Sequence, residues 1–569
     1  MLKFDFLQNI IKGRKIVLKG FVRMKRLLVC VLVVVLFLTA CSTPTEPEID
    51  GVQIKLSDEK ITVDGKDITN DNSQAVYSAK DIVFYLEGQD FKYGEGTKKD
   101  EHSQAEADSH TVVHITKPGR YVLSGKLSLG QIAVDLGEEA EGNPEAVVTL
   151  VLNGADITCT VAPAVIFYNV YECGVADEET ATKDVDTSKA GANVIIADAT
   201  QNNINGSYVA KIYKSYELNE DGTEVVDSKK LHKYDAAFYS KKTMNINGGE
   251  VGDGVLNIKA ENEGLDSELH LTINGGVINI TSGNDGINTN EDNVSVTTMN
   301  GGTLNIICDG STGEGDGIDS NGWLVINGGT VVAQACATSG DAGIDSDKGI
   351  YLNGGKVIAS GNMLDHIAGG EQTYAVFNFA SRQKGSNTYT LKNADGKVIG
   401  EYAPKNNFTY LIIAGDELSE GDYTFWQGKT QLSAFKSDKM QGGVPQGEKN
   451  EMPNGEKTED FTPPEMPDGM ERPEKPDDER HQMLDGEMPE GFTPPEMQNG
   501  ERPEMPEGFT PPEMQNGERP EKPEGAENMT PPENMGGAMG GFMANGETST
   551  VFTIVKGGNQ FANVGPATD

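Results

Sequence analysis

Four short runs recur along the chain, each set around one apolar residue: Glu263-Gly264-Leu265-Asp266, Asp285-Gly286-Ile287-Asn288, Asp316-Gly317-Ile318-Asp319 and Ala342-Gly343-Ile344-Asp345. Asp266, Asp319 and Asp345 follow the apolar residue by one position, and Asp365 continues that set. Glu263, Asp285 and Asp316 precede it by two. Carboxylates brought together by a repeat repel. At the spacing of adjacent strands and an effective dielectric near 20, the cost is roughly 3 kcal/mol per pair. Water can screen that repulsion, protons can neutralise it, or a hard cation can bridge it. Calcium takes roughly 6–8 oxygen ligands from carboxylates, amide carbonyls and backbone. The chain offers such a set in Glu263, Asp266, Asp285, Asn288, Asp316, Asp319, Asp341 and Asp345. Asn262, Asn284, Ser267 and Ser320 add oxygens nearby. The alternative is a solvated face of turns, because Asp, Asn and Gly are also the ordinary turn residues.

The elements that must position these acids are written in a second motif. The tetrapeptide [IML]-N-G-G occurs at Ile246, Ile273, Met299, Ile326 and Leu352, at intervals of 27, 26, 27 and 26 residues. The apolar centre of the acidic motif precedes the next N-G-G motif by 8 residues in three copies and by 12 in the other. A fixed period in this range signals stacked units. The segments after each Gly pair, such as Val277-Ile278-Asn279-Ile280 and Thr303-Leu304-Asn305-Ile306, mix apolar and polar residues with a β-branched bias. They read as half-buried strands. No helical pattern lies between motifs, so βαβ crossovers are excluded, as is a leucine-rich repeat without its Leu ladder. The reading is an all-β chain whose coils of 26–27 residues form a parallel β-helix. Stacking would place Asn247, Asn274, Asn300, Asn327 and Asn353 in one hydrogen-bonded column. Phe238, Leu265, Ile287, Ile318 and Ile344 would form a core column.

The ends differ in kind. Met24-Lys25-Arg26 and the apolar run Leu27 to Leu38 lead to Leu38-Thr39-Ala40-Cys41, which matches a bacterial lipobox. Residues 1–41 therefore read as a signal peptide with a true start at Met24, Cys41 as the lipidation site and residues 42–51 as a tether. An ordinary signal peptide or a signal anchor is the alternative. Residues 52–385 hold the repeats, 386–440 a small C-terminal β region, and 548–569 a returning strand and tail. Between them, residues 441–547 carry a 17-residue Pro/Glu/Met/Gly-rich repeat that cannot bury a core and is expected to be a disordered insertion.

The net charge of −41 argues against nucleic acid and anionic membrane as partners. Lys211, Lys214, Lys229, Lys230, Lys233, Lys241 and Lys242 are the basic exception, either a solvated loop or a contact for polymer carboxylates. Cys159, Cys173, Cys308 and Cys336 remain; Cys308 and Cys336 stand one coil apart, as a disulfide or as buried thiols.

Asp341-Ala342-Gly343-Ile344-Asp345-Ser346-Asp347-Lys348-Gly349 followed by Tyr351-Leu352-Asn353-Gly354-Gly355 resembles the carbohydrate-binding domain-containing bacterial lipoproteins. So do Asp235-Ala236-Ala237-Phe238-Tyr239-Ser240 before Asn245-Ile246-Asn247-Gly248-Gly249, Gly119-Arg120-Tyr121-Val122-Leu123-Ser124-Gly125, and Val148-Thr149-Leu150-Val151-Leu152-Asn153-Gly154. The resemblance spans about residues 52–440. It implies a right-handed parallel β-helix similar to certain pectate lyases, calcium binding, and binding of cell-wall polysaccharides including acidic ones. The copy at 235–240 carries Tyr239 in the acid position and Ala342 replaces an upstream acid, which weakens the site at those levels. The expected protein is a lipid-anchored, calcium-dependent polysaccharide binder on the outer face of the cytoplasmic membrane, without catalysis. Two other readings stand beside it: a lyase using Lys348 or Lys259 as base, and a structural or adhesive rod.

Overall fold

Each repeat but the last contributes three short strands that pair with their counterparts one repeat away; the last forms no strand at its acid motif around Ile344. The computed structural model describes residues 49–219, 221–231, 233–437 and 548–567. Cys41, the tether and the insertion at 441–547 lie outside them. The described chain is all-β, with one short α-helix, Gln104–Ser109, whose N-cap Ser103 accepts the Glu106 N–H.

Three parallel ladders result. The first, termed the N-G-G ladder, runs through Ala192–Ile196, Met244–Gly248, His270–Ile273, Val296–Met299, Trp323–Ile326 and Gly349–Leu352. The second, the middle ladder, runs through Gln201–Gly206, Val255–Ala260, Val277–Ser282, Thr303–Cys308, Thr330–Gln334 and Lys356–Gly361. The third, the acid ladder, runs through Val165–Asn169, Ala236–Ser240, Glu263–Ser267, Ile287–Thr289 and Ile318–Ser320. The chain visits the acid, N-G-G and middle ladders in turn, once per repeat, without slipping register within the acid motif: Phe238, Leu265, Ile287 and Ile318 are direct partners.

The apolar columns meet inside. Phe238, Leu265, Ile287, Ile318 and Ile344 are at most 1 % exposed, and Ile246, Ile273, Met299, Ile326 and Leu352 at most 2 %. Burying each such side chain contributes roughly 1.5–3 kcal/mol. The corner after the N-G-G ladder depends on glycine. Gly276, Gly302, Gly329 and Gly355 have φ of 81–87°, and a Cβ at Gly302 would lie 2.5 Å from the Gly276 carbonyl oxygen. A side chain there would meet both a disfavoured backbone and the preceding coil. The first copy is different: the turn after Gly248-Gly249 is longer, and Gly252 takes the positive φ of 78°.

Past the repeats the pairing turns mostly antiparallel. Phe408–Ala414 closes the middle ladder against Lys356–Gly361 and also pairs Tyr374–Gln383. A separate aromatic core of Phe377, Phe379, Tyr389, Phe408, Phe425, Phe552 and Phe561 fills this region. It includes Ile358 and Ala375, upstream of the boundary at 386 drawn from the sequence. The returning segment forms two strands. Phe552–Ile554 pairs with Gly421–Gln427, and the longer Gly558–Pro566 pairs with both Tyr374–Gln383 and Thr430–Ser437.

Candidate functional site

The acids gather along the acid ladder and its turns, in three environments. The first is at Glu263, Asp266 and Asn288. Asp266 and Asn288 are cross-strand partners. Glu263 is 6 % exposed, Asp266 0 % and Asn288 8 %. Asn288 Nδ2 donates to Glu263 Oε1 at 3.2 Å, and Asn290 Nδ2 to Asp266 Oδ1 at 2.7 Å. The other three oxygens, Glu263 Oε2, Asp266 Oδ2 and Asn288 Oδ1, are buried with no hydrogen-bond partner among the described residues. Buried polar atoms are seldom left so, because each costs about 1–3 kcal/mol, more when charged. Burial pushes the Glu263 and Asp266 carboxyls well above the carboxylate range, and neighbouring carboxylates push them further. These residues fit a hard cation: three oxygens, two of them acidic, with the remaining oxygens already oriented by amides.

The second environment is at Asp285, Asp316 and Asp341. Each accepts a backbone N–H across the stack: Asp285 Oδ1 from Asp316 at 2.7 Å, Asp316 Oδ1 from Ala342 at 2.5 Å, and Asp341 Oδ2 from Gly315 at 2.6 Å. These acids satisfy turns of adjacent coils. Burial raises the Asp285 pKa to about 7, against the lowering effect of that N–H. Burial, with the charges of Asp345, Asp285 and Asp319, raises the Asp316 carboxyl well above the carboxylate range.

The third is at Asp319, Asp345 and Asp365. Asp319 continues the Asp266–Asn288 column. Burial, then mutual repulsion, raises Asp319 to about 7 and Asp345 to about 8. The Ser346 N–H donates to Asp365 Oδ2 at 3.1 Å. This level is more open, with Asp345 and Asp365 half-buried and Asp347 exposed.

The eight residues read as calcium ligands thus do not converge on one centre. Among the described residues no three His, Cys, Asp or Glu side chains form a ready cage. In the first environment the third oxygen is the Asn288 amide oxygen, beside two carboxyls. The asparagine column stands as expected: each Nδ2 donates to the preceding Oδ1, at 3.0 Å from Asn274 to Asn247, 2.9 Å from Asn300 to Asn274, 2.9 Å from Asn327 to Asn300 and 2.8 Å from Asn353 to Asn327. A second column went unread in the sequence. Asn257, Asn279 and Asn305 repeat the contact on the middle ladder at 2.9–3.0 Å, starting from Asn203. Its signal was the shared Asn between two apolar residues in Leu256-Asn257-Ile258, Ile278-Asn279-Ile280 and Leu304-Asn305-Ile306.

The basic segment is largely exposed, as a solvated stretch would be, but it is a hairpin rather than a loop. Tyr213–Leu218 and Val225–Lys230 pair as an antiparallel hairpin. Burial raises the Asp235 carboxyl, and the charges of Lys211, Lys233 and Lys230 oppose that rise, so cations stand near the start of the Ala236–Ser240 strand. Lys230 also pairs with Glu95 and Lys242 with Glu141. Lys348 lies 5.5 Å above the Trp323 ring and 4.0 Å from Glu178, and Lys259 is exposed on the middle ladder. Cys308 and Cys336 are buried free thiols, and burial raises the Cys308 pKa.

Residues 109–393 match the family model described as carbohydrate-binding domain-containing protein. No curated protein matches the chain. A solved structure described as that of the polysaccharide lyase-like protein from C. thermocellum, a gadolinium derivative, is 19 % identical, covers 57 % of this chain and 93 % of its own, and superposes with a TM-score of 0.32.

Proposed function

The chain belongs to the carbohydrate-binding domain-containing protein family, and we propose that it is a surface-anchored polysaccharide binder whose right-handed parallel β-helix is held by calcium. Family membership supports a polysaccharide partner in general. The three ladders, each visited once per repeat, support the helical coil, with the right hand that parallel crossovers almost always take.

The observation that carries calcium is the set of buried, unpartnered oxygens on Glu263, Asp266 and Asn288. These three side chains would hold the ion. When bound, calcium supplies positive charge to carboxylates that otherwise stay protonated or repel. The burial of this level leaves a polymer no access, so here the ion stabilises the stack rather than bridging to substrate. An acidic glycan such as a polygalacturonate would be bridged at the more open level of Asp345, Asp347 and Asp365. Lipidation at Cys41 would hold the protein at the outer face of the membrane.

No catalysis is proposed. Eliminative cleavage needs a free base beside a metal-acidified proton, and Lys348 is instead engaged by Glu178 and Trp323. The test is a pull-down of the full chain with polygalacturonate, with and without chelator, while the absorbance of unsaturated uronates is followed. Binding that needs calcium and produces no absorbance is expected. Binding unchanged in chelator would remove the calcium bridge, and rising absorbance would make the protein a lyase.

A further inference from the structure

We propose that the groove between residues 183–188 and the asparagine column is a binding subsite for a neutral polysaccharide chain. The proposal rests on the polysaccharide-binding reading and gives a neutral chain a place of its own, away from the acid ladder. The groove has a volume of about 500 Å³. Asn274, Asn300, Asn327 and Asn353 line one side and residues 183–188 the other, with Thr272 and Thr298 between them.

Its chemistry is that of hydroxyl recognition. A carboxamide has two N–H donors and two carbonyl lone pairs. Among the described residues, the column uses one N–H and one lone pair of Asn274, Asn300 and Asn327. All four amides are exposed. Each therefore presents a donor and an acceptor side by side, the complement of two adjacent sugar hydroxyls, one accepting and one donating. The amides recur at the strand spacing of about 4.8 Å, so the ligand they suit is itself repetitive and extended.

The opposite wall is fixed before any ligand arrives. Thr187 Oγ1 bonds Thr272 Oγ1 at 2.8 Å, and Asn245 Nδ2 donates to the Thr187 carbonyl at 2.8 Å. A preformed groove spares the ordering cost of binding. Asn245 is 4 % exposed, and its Oδ1 has no partner among the described residues, an unused acceptor in the groove lining. Charge selects against a uronate. Lys183 is the one cation lining the groove among the described residues, and it is paired with Asp184 at 2.6 Å and lies 5.3 Å above the Tyr351 ring. Asp186 adds a further negative charge. A polymer carboxylate would find no open cation here, whereas hydroxyls meet amides and threonines.

Affinity electrophoresis of the full chain through gels containing a soluble neutral β-glucan, a neutral galactomannan or polygalacturonate tests this. Ser188→Trp fills the groove from an exposed position, and Thr298→Trp does so independently from the ladder; thermal melting checks that both variants fold. The expected result is retardation by at least one neutral polymer, weakened at least ten-fold by Ser188→Trp with melting unchanged, while calcium-dependent retardation by polygalacturonate persists. Neutral-polymer binding that survives both folded variants overturns the site. Loss of polygalacturonate binding alone, or no retardation by either neutral polymer, overturns the neutral class. No retardation by any of the three overturns the polysaccharide-binding reading beneath it.

Discussion

The N-G-G corner and the acid ladder stack polar side chains on the same coil spacing, with opposite results. Asparagine is both donor and acceptor, so a column of identical residues satisfies itself: four consecutive amide contacts of 2.8–3.0 Å run through Asn247 to Asn353 at the surface. A carboxylate only accepts. The acid ladder must therefore import donors, and it does so unevenly. Backbone N–H groups serve Asp285, Asp316 and Asp341, while Asn288 and Asn290 serve one oxygen each of Glu263 and Asp266. The remaining oxygens are left for a proton or a metal. Repetition alone is stabilising for amides; for acids it creates a demand that something outside the repeat must meet.

The contrast can be broken from either side. The largest effect is expected from calcium. At a free concentration about 100 times its Kd, an ion bound only by the folded state adds about 2.7 kcal/mol. Chelator should remove that increment from the wild type, as read by calorimetric melting, and variants of the asparagine column should keep it in full.

Proton supply comes next. The folded-state pKa values of Asp285 and Asp319 rise to about 7 and that of Asp345 to about 8, from 3.8. The folded state then binds more protons than the unfolded one, so stability falls as pH rises through that window. In chelator the protein should melt higher at pH 5 than at pH 8. His270, whose pKa burial lowers to about 4, opposes the trend as a single group. Calcium should flatten the part of the dependence that Glu263 and Asp266 contribute, because it replaces the protons on those two acids. A melt that rises with pH in chelator would contradict the burial of these acids.

A smaller effect belongs to the amides. Asn300→Ala removes two exposed amide contacts, and the expected loss is about 1 kcal/mol, the same with calcium or chelator and across pH 5 to 8. A calcium-dependent loss would couple the two regions and weaken the contrast. The smallest effect is expected from Lys348→Ala. Polygalacturonate binding should persist and no unsaturated uronate should appear with either protein.

Much of this was legible in the chain. The spacing of Ile246, Ile273, Met299, Ile326 and Leu352 announced the stack, and the registered partners Leu265, Ile287 and Ile318 follow from it. The copy with 12 residues between Ile287 and Met299 was visible as an anomaly. The added residues make a turn in which Asn293 takes a φ of 61°. Burial of the acids was not legible. The hairpin of Tyr213–Leu218 and Val225–Lys230 has no repeat of its own, and nothing local ties Lys211 to Asp235. Within 548–569 the strand Gly558–Pro566 is hard to see, since Gly558, Asn563 and Pro566 break a strand pattern; its pairing depends on partners almost two hundred positions away in Tyr374–Gln383. The groove was invisible for a related reason. Its outer wall at 183–188 carries no periodicity, and the sequence cannot say that Thr187 reaches Thr272.

The most direct test is the double variant Glu263→Gln with Asp266→Asn, melted alongside the wild type with calcium and with chelator. Amides in place of the two acids turn the acid ladder locally into the chemistry of the asparagine column. The variant should melt higher than the wild type in chelator and should gain nothing from calcium. A variant that keeps the full calcium increment would place the ion elsewhere and contradict the assignment of Glu263, Asp266 and Asn288.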